Sequence, residues 1–221
     1  MQRFFDILFS AIAIAILSPV LLLVILVLRL TGEGEVFYLQ QRVGKGGNLF
    51  GVFKFATMVK NSSSMGTGFI TTRNDPRVLP VGRFLRKTKL NELPQIFNIF
   101  IGDMSIVGPR PQVSRHFEIY SDEVKTELNK IRPGLTGIGS IVFRDEESVL
   151  ERNKNLTYEE CYAGLIAPYK GQLELWYIKH RTIGLYFTLI FLTAWVVFFP
   201  NTSTRLSMFP DLPTPPPELN L

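Results

Sequence analysis

The run Ile7-Leu8-Phe9-Ser10-Ala11-Ile12-Ala13-Ile14-Ala15-Ile16-Leu17-Ser18-Pro19-Val20-Leu21-Leu22-Leu23-Val24-Ile25-Leu26-Val27-Leu28 contains 22 residues and no charged side chain. As a straight helix it extends roughly 33 Å, enough to cross a bilayer's hydrocarbon core. Ser18-Pro19 stands at its middle. Proline lacks the N–H that would bond the Ala15 carbonyl and its ring crowds that turn, a defect of roughly 3 kcal/mol in a helix interior. The Ser18 hydroxyl can donate to a carbonyl freed in this way. Two courses are open. In one, the helix bends sharply, and two halves of about 16 Å dip into one leaflet and return. Arg3 and Arg29 then share one face of the membrane, as cations at both ends allow. In the other, a kinked helix spans the bilayer. A cleaved signal peptide fits worst, because the apolar run is too long and Asp6 interrupts the segment before it.

With 221 residues and 46% hydrophobic content, the chain can build one domain of ordinary size and still present apolar surface to lipid. The lone cysteine, Cys161, cannot form an internal disulfide and fits the cytosolic side of a membrane. Charge is unevenly placed. From Val36 to Asn91 there are ten Lys or Arg (Arg42, Lys45, Lys54, Lys60, Arg73, Arg77, Arg83, Arg86, Lys87, Lys89) against one acid, Asp75, so this segment carries +9 while the chain carries +5. Nucleic-acid binding has the charge but no recognition motif, and two long apolar segments argue against it.

Downstream of a turn at residues 31–35, Val36 to Gln41 and Leu49 to Met58 alternate as a β-hairpin joined by Gly44-Lys45-Gly46-Gly47-Asn48. Asn61 to Thr72, rich in Ser, Gly and Thr, reads as a connection or as a lid over a substrate. Arg83 to Lys89 reads as a short basic helix, and Asn91 as the cap of the next, which opens at Glu92-Leu93-Pro94. Ile96, Phe97, Ile99, Phe100 and Ile101 are too dense for a solvated helix. Gln112 to Lys130 reads as a surface helix ended by Arg132-Pro133-Gly134. Thr182 to Pro200 is apolar and aromatic, suited to spanning a membrane or lying on its surface. The tail from Asn201, with Pro210, Pro213, Pro215, Pro216 and Pro217, reads as disordered. The expected organisation is therefore α/β, with a membrane helix over 1–30, a catalytic domain with interfacial helices over 31–200 and a Pro-rich tail over 201–221.

Chemistry concentrates where Lys87-Thr88-Lys89-Leu90-Asn91-Glu92-Leu93-Pro94-Gln95 is followed by Gly102-Asp103-Met104-Ser105 and Gly108-Pro109-Arg110-Pro111. A carboxylate, a helix start and fixed cations within about two dozen residues suit phosphate chemistry. Glu92 is the first candidate for a metal ligand or acid–base group, against a plain helix-dipole role. Arg86 and Arg110 can offer bidentate forks to phosphate oxygens, against a loop-ordering salt bridge for Arg110. Lys54, on a strand, is a further phosphate candidate or a surface lysine. Asp103 reads as a turn brace. His116 and His180 lack metal-ligand spacing to Cys161, and Gly44-Lys45-Gly46-Gly47 is not a Walker loop.

These blocks, with Gln41-Arg42-Val43-Gly44, Phe53-Lys54-Phe55, Thr57-Met58, Asp75-Pro76-Arg77-Val78, Gly82-Arg83-Phe84-Leu85-Arg86-Lys87-Thr88 and Arg132-Pro133-Gly134-Leu135-Thr136-Gly137, resemble the bacterial sugar transferase family from the N-terminal helix to about Thr193. Members are small monotopic phosphoglycosyl transferases. The resemblance implies a re-entrant helix bent at Ser18-Pro19, an α/β domain on the cytoplasmic face of the bacterial inner membrane, and interfacial helices bearing the site. It implies Mg²⁺, a nucleotide-diphosphate sugar donor, usually a UDP sugar, and transfer of sugar 1-phosphate to polyprenyl phosphate with release of UMP, as the first membrane step of glycan assembly. Membrane lipids are expected partners, nucleic acid is not, and a homo-oligomer is left open. Glu174, in Leu173-Glu174-Leu175-Trp176, matches an acidic family position with a binding or structural role.

The family's nucleophile is the Asp of an Asp-Glu dyad, and here that position holds Asn91. A carboxamide cannot become an acyl phosphate. Ala56 replaces a usual basic residue, and Gly139-Ser140-Ile141-Val142 replaces an Ala-Gln-Val type sequence. Three readings follow: Glu92 or another acid as nucleophile, direct transfer with Asn91 orienting phosphate, or a silent protein that binds polyprenyl phosphate or nucleotide sugar. Asp145, Glu146 and Glu147 are candidates for a compensating carboxylate, against a solvated acidic helix start.

Overall fold

Helix α1 runs from Gln2 to Leu30 in a computed structural model that describes residues 1–31, 33–65, 75–144, 146, 149, 152–153, 155–199, 208–209 and 211–219. It is helical on both sides of Pro19, which lies within it. The local chemistry is as expected: Ser18 Oγ donates to the Ala15 carbonyl at 2.8 Å, the group that proline leaves without its N–H. By length and composition α1 can cross a membrane, and most of its apolar core is not covered by protein.

In chain order, β1 (Phe37–Val43) and β2 (Leu49–Phe55) form the hairpin, followed by α2 (Pro80–Lys87), α3 (Gln95–Ile101), β3 (Ser105–Val107), α4 (Ser114–Phe117), α5 (Asp122–Asn129), β4 (Gly134–Thr136) and α6 (Ile138–Val142). Next, α7 (Tyr158–Cys161) passes through a π-helical turn, Tyr162–Ile166, into α8 (Ala167–Lys179), and α9 (Ile183–Phe198) follows. The single surface helix expected over Gln112 to Lys130 is two helices, because the Ser121 side chain caps α5 by accepting from the Val124 N–H. Asn91 does not cap α3. It lies inside a 3₁₀ turn, Leu90–Glu92, entered through Lys89 in the left-handed region (φ 59°).

The chain divides into two units. One comprises residues 7–41 and 51–101. Its core is the second half of α1, where Leu21, Val24 and Leu28 at helical spacing bury one stripe with Phe55 of β2 and Leu85 of α2. Leu90, Leu93 and Phe97 pack on the same cluster. Gly82 is required in α2: a Cβ there would fall 2.1 Å from the Thr57 carbonyl oxygen. The buried Asp75–Arg77 pair is bidentate, at 2.9 and 2.6 Å, and Arg77 also donates to the Ser62 and Met65 carbonyls. The expected lid lies largely at residues 66–72, outside the described residues.

The other unit comprises residues 1–6, 42–50 and 102–221. Strands β3 and β4 pair in parallel, Ser105 opposite Gly134 and Val107 opposite Thr136. The approach is close: a Cβ on Gly134 would lie 2.1 Å from the Gly108 nitrogen. Gly134→Ala is therefore expected to destabilise the fold by about 3 kcal/mol, since neither backbone can yield, as chemical unfolding of the purified chain would measure.

Helix α9, at 16 residues, is about 24 Å long and shorter than a hydrocarbon core of about 30 Å. Leu189, Leu192 and Val196 are buried, whereas Phe187, Phe191 and Trp195 form an exposed stripe. The described part of the tail, residues 208–209 and 211–219, is held by contacts that its composition did not suggest. Tyr169 Oη donates to the Pro213 carbonyl, the Phe209 ring meets Trp176, and Leu219 is fully buried. Proline lowers the entropy lost on docking, and two apolar anchors suffice to hold it.

Candidate active site

Lys54 and Glu92 meet. Their Nζ and Oε1 atoms are 3.6 Å apart, and both side chains are largely but not fully covered. Three local features produce the contact. On β2, Phe55 enters the core, which turns Lys54 to the opposite side of the strand. Asn98 of α3, fully buried, accepts from the Phe53 N–H at 2.9 Å and donates to the Gly51 carbonyl at 2.8 Å, fastening α3 to the strand that bears Lys54. The left-handed Lys89 then reverses the chain so that Leu90 and Leu93 face the core while Asn91 and Glu92 sit between them. Non-glycine residues in this region cost energy and gather at functional turns.

Arg86 is half-buried in the last turn of α2, which packs on the Leu90–Glu92 turn. The Asn91 Oδ1 atom is shielded from solvent and accepts no hydrogen bond among the described residues. A buried carbonyl oxygen in that condition is an available acceptor. Asn98 was missed by sequence reasoning. Its amide looked like an interruption in an apolar helix, and only strand pairing reveals what it bonds.

Arg110 and Glu174 belong to the other unit. The Arg110 side chain is exposed in the Pro109-Arg110-Pro111 segment, which is held by bonds from Arg42 to the Pro111 carbonyl and from the Val43 N–H to the Gln112 carbonyl. Glu174 is 2% exposed, and a Cβ on Gly139 would lie 2.4 Å from its Oε1. Burial pushes its carboxyl up to about 7, with Lys170 and the Arg110 backbone N–H opposing that shift. Glu174 thus touches the backbone of Arg110 rather than solvent, which makes it a brace for that arginine.

A pH dependence follows. Glu174 has a folded-state value above its unfolded one, so its contribution to stability is complete below about 4.5 and is lost as pH rises through about 7. Glu174→Gln is expected to remove this decline, a difference on the order of 3 kcal/mol between acid and alkaline sides of that window. Chemical unfolding of both proteins from pH 5 to 8 would measure it.

Among the other candidates, Glu146 is the partner of Lys170 at 2.7 Å, and Asp145 and Glu147 lie outside the described residues. His116 stacks on Tyr162 with ring centres 4.1 Å apart, and burial, with Arg115 adding to it, pushes it down to about 4. It is a neutral packing group at ordinary pH. Sequence reasoning also missed the role of Asp6, which accepts from Ser105 Oγ, the Ile106 N–H and Tyr186 Oη and ties the start of α1 to β3 and α9.

A carboxylate faced by an ammonium on a turn beside an apolar helix, with an arginine one helix away, is an arrangement whose chemistry suits phosphate oxygens. A family model described as bacterial sugar transferase matches residues 1–200, and the chain belongs to that family. It is 35% identical over 212 residues to an undecaprenyl-phosphate galactose phosphotransferase of Salmonella typhimurium, covering 89% of this chain and 40% of that protein. It is 35% identical over 208 residues to a UDP-glucose:undecaprenyl-phosphate glucose-1-phosphate transferase of Klebsiella pneumoniae, covering 91% and 41%. With the exopolysaccharide production protein ExoY of Sinorhizobium fredii it shares 40% identity over 165 residues, covering 68% and 73%. The chain spans about two fifths of the length of the first two relatives.

Proposed function

We propose that this protein transfers a sugar 1-phosphate from a UDP-sugar to polyprenyl phosphate at the cytoplasmic face of the bacterial inner membrane, releasing UMP. The observation that carries the reading is the Lys54–Glu92 pair, set on a turn that packs against the apolar helix. The names of the Salmonella and Klebsiella relatives, each a transferase acting on undecaprenyl phosphate, support the same reading.

The residues at 91 and 92 favour a single displacement. An oxygen of the lipid phosphate forms a bond to the sugar-bearing phosphorus of the donor. The bond from that phosphorus to the bridging oxygen breaks, and its electron pair leaves on UMP. Asn91 cannot accept the phosphosugar, but its buried Oδ1 offers a neutral oxygen to the site. Lys54 and Arg86 hold the phosphate oxygens of the donor.

Two oxygen donors in sequence, the Glu92 carboxylate and the Asn91 amide, fit Mg²⁺, which takes few protein ligands and completes its shell with water and substrate phosphates. When bound it would supply charge neutralisation between two anions that otherwise repel. Release of UMP from a panel of UDP-sugars with undecaprenyl phosphate and Mg²⁺ tests the activity. Tight binding without turnover of any sugar would show a silent binder instead, the reading that Asn91 itself suggests.

The course of α1 is proposed to be re-entrant. Its first turn bonds to β3 through Gln2 and Asp6, one stripe of its second half packs on a protein core, and the Ser18 hydroxyl meets the carbonyl that Pro19 frees. The Phe187, Phe191 and Trp195 stripe would rest at the interface. Cysteines placed singly at Arg3 and Arg29 are expected to react from the cytoplasmic side with an impermeant maleimide, against a silent background because Cys161 is buried. Labelling of the two from opposite sides would reject the re-entrant course.

A further inference from the structure

Helix α8 is covered on more than one face. Tyr169, Lys170, Leu173, Glu174 and Tyr177 are all buried, and Gly171 is close enough to α5 that a Cβ there would lie 3.2 Å from Val124 Cγ2. On the side of α6, the Glu174 carboxylate fills the space that a side chain on Gly139 would need. Tyr169 and Trp176, seven residues apart, stand on one line along the helix, and both meet the tail. Tyr169 Oη donates to the Pro213 carbonyl at 2.8 Å, and the Trp176 and Phe209 rings meet edge to face with centres 5.4 Å apart. The 3₁₀ turn Pro217–Leu219 packs against the π turn Tyr162–Ile166, and Leu219 is fully buried. Tail numbers rise as helix numbers fall, so the tail lies antiparallel along α8 and its entry turn.

A π turn is rare, is found mostly as a single turn within an α-helix, and gathers at functional sites. This one is bare on one side: Ala163 and Gly164 are exposed, and among the described residues a Cβ on Gly164 would meet nothing within 4 Å. Beyond it, α8 carries Lys170, whose ammonium is 2.7 Å from Glu146 and lies over the Phe143 and Tyr162 rings. Backbone bonds within the tail, from the Leu212 N–H to the Phe209 carbonyl and from the Leu219 N–H to the Pro216 carbonyl, shape both of its anchors. The contacts that fasten them are modest: one hydrogen bond, one ring pair and one leucine. Segments held so lightly open while the rest of a domain stays folded.

We propose that residues 208–209 and 211–219 form a releasable strap that closes over α8 and holds the π turn, with Leu219 as the latch and the Tyr169 hydroxyl as the catch. Released, the strap uncovers Tyr169 and Trp176 and frees the turn that leads into the helix bearing Lys170 and Glu174. The inference does not rest on the transferase reading, because none of its parts belongs to the Lys54–Glu92 pair. Cys161, the one cysteine in the chain, directly precedes the π turn and is 1% exposed, so its reaction with a thiol reagent reports the opening.

The test uses the full chain in detergent, the double substitution Phe209→Ala, Leu219→Ala, and Thr214→Ala, exposed in the same tail, as the control. One measurement is the rate at which N-ethylmaleimide modifies Cys161, and the other is amide hydrogen exchange read by mass spectrometry. The double variant is expected to react about tenfold or more faster than the parent, with faster exchange over residues 158–179 and parent-like exchange over β3 and β4, while the control reacts at the parent rate. Tyr169→Phe removes only the bond to Pro213 and is expected to give a smaller acceleration in the same segment. It keeps the test open to refutation should the double variant fail to fold. Equal Cys161 rates in the parent and the variants overturn the proposal, as does acceleration spread evenly through β3 and β4, which would mark the tail as an ordinary part of the core.

Discussion

Glu92→Gln is expected to lower sugar-phosphate transfer by about 10²- to 10³-fold while leaving the fold intact. The substitution keeps the shape and one oxygen but removes the charge that faces Lys54 at 3.6 Å. Neither partner is fully buried, so the pair contributes on the order of 1 kcal/mol or less to stability and its loss cannot unfold the chain. The loss should appear in kcat, with a weaker Mg²⁺ dependence, because Glu92 is assigned as the charged oxygen ligand. Steady-state UMP release over a Mg²⁺ titration measures both. Activity within a few-fold of the parent would remove Glu92 from the chemistry.

Asn91→Asp is expected to change the route of the reaction. A carboxylate at this position can attack the sugar-bearing phosphorus, so a phosphosugar adduct should become trappable at residue 91 in the absence of lipid acceptor. None should form on the parent. Turnover should rise about tenfold or more, equivalent to roughly 1.4 kcal/mol off the barrier, as one hard step is divided into two. Stereochemistry gives an independent reading. A donor with sulfur on its sugar-bearing phosphorus should yield inverted product with the parent, from one displacement, and retained product with the variant, from two. Retention with the parent, or an adduct mapped by mass spectrometry to Glu92, would overturn the single-displacement reading.

Much of the fold was legible from local pattern. The apolar run before Arg29 became α1, the alternating segments on either side of Gly44–Asn48 became β1 and β2, and the segment after Thr182 became α9. The misreadings fell where local preference was overruled. Asn91 resembled a cap, yet the turn of Lys89 drew it into a 3₁₀ segment. The Pro-rich tail resembled a disordered one, yet Phe209 and Leu219 found aromatic and apolar partners.

The candidate site divides in the same way. Lys54, Arg86 and Glu92 are candidates that charge and motif alone suggest, because phosphate chemistry restricts which side chains can serve. Their supports are not suggested in this way. Asn98 bonds across 45 and 47 positions of sequence, and Asp6 reaches Ser105 and Tyr186 across 99 and 180.

The amino-acid sequence by itself determined the apolar N-terminal helix, the hairpin and the order of the charged blocks, because hydrophobic period and turn chemistry act over a few neighbouring residues. Only the tertiary structure decided that Glu92 faces Lys54, that Glu174 is a buried brace and that the tail lies along α8. Such pairings require distant segments to be closed onto a common core, and the geometry of that closure is set by packing rather than by any local pattern.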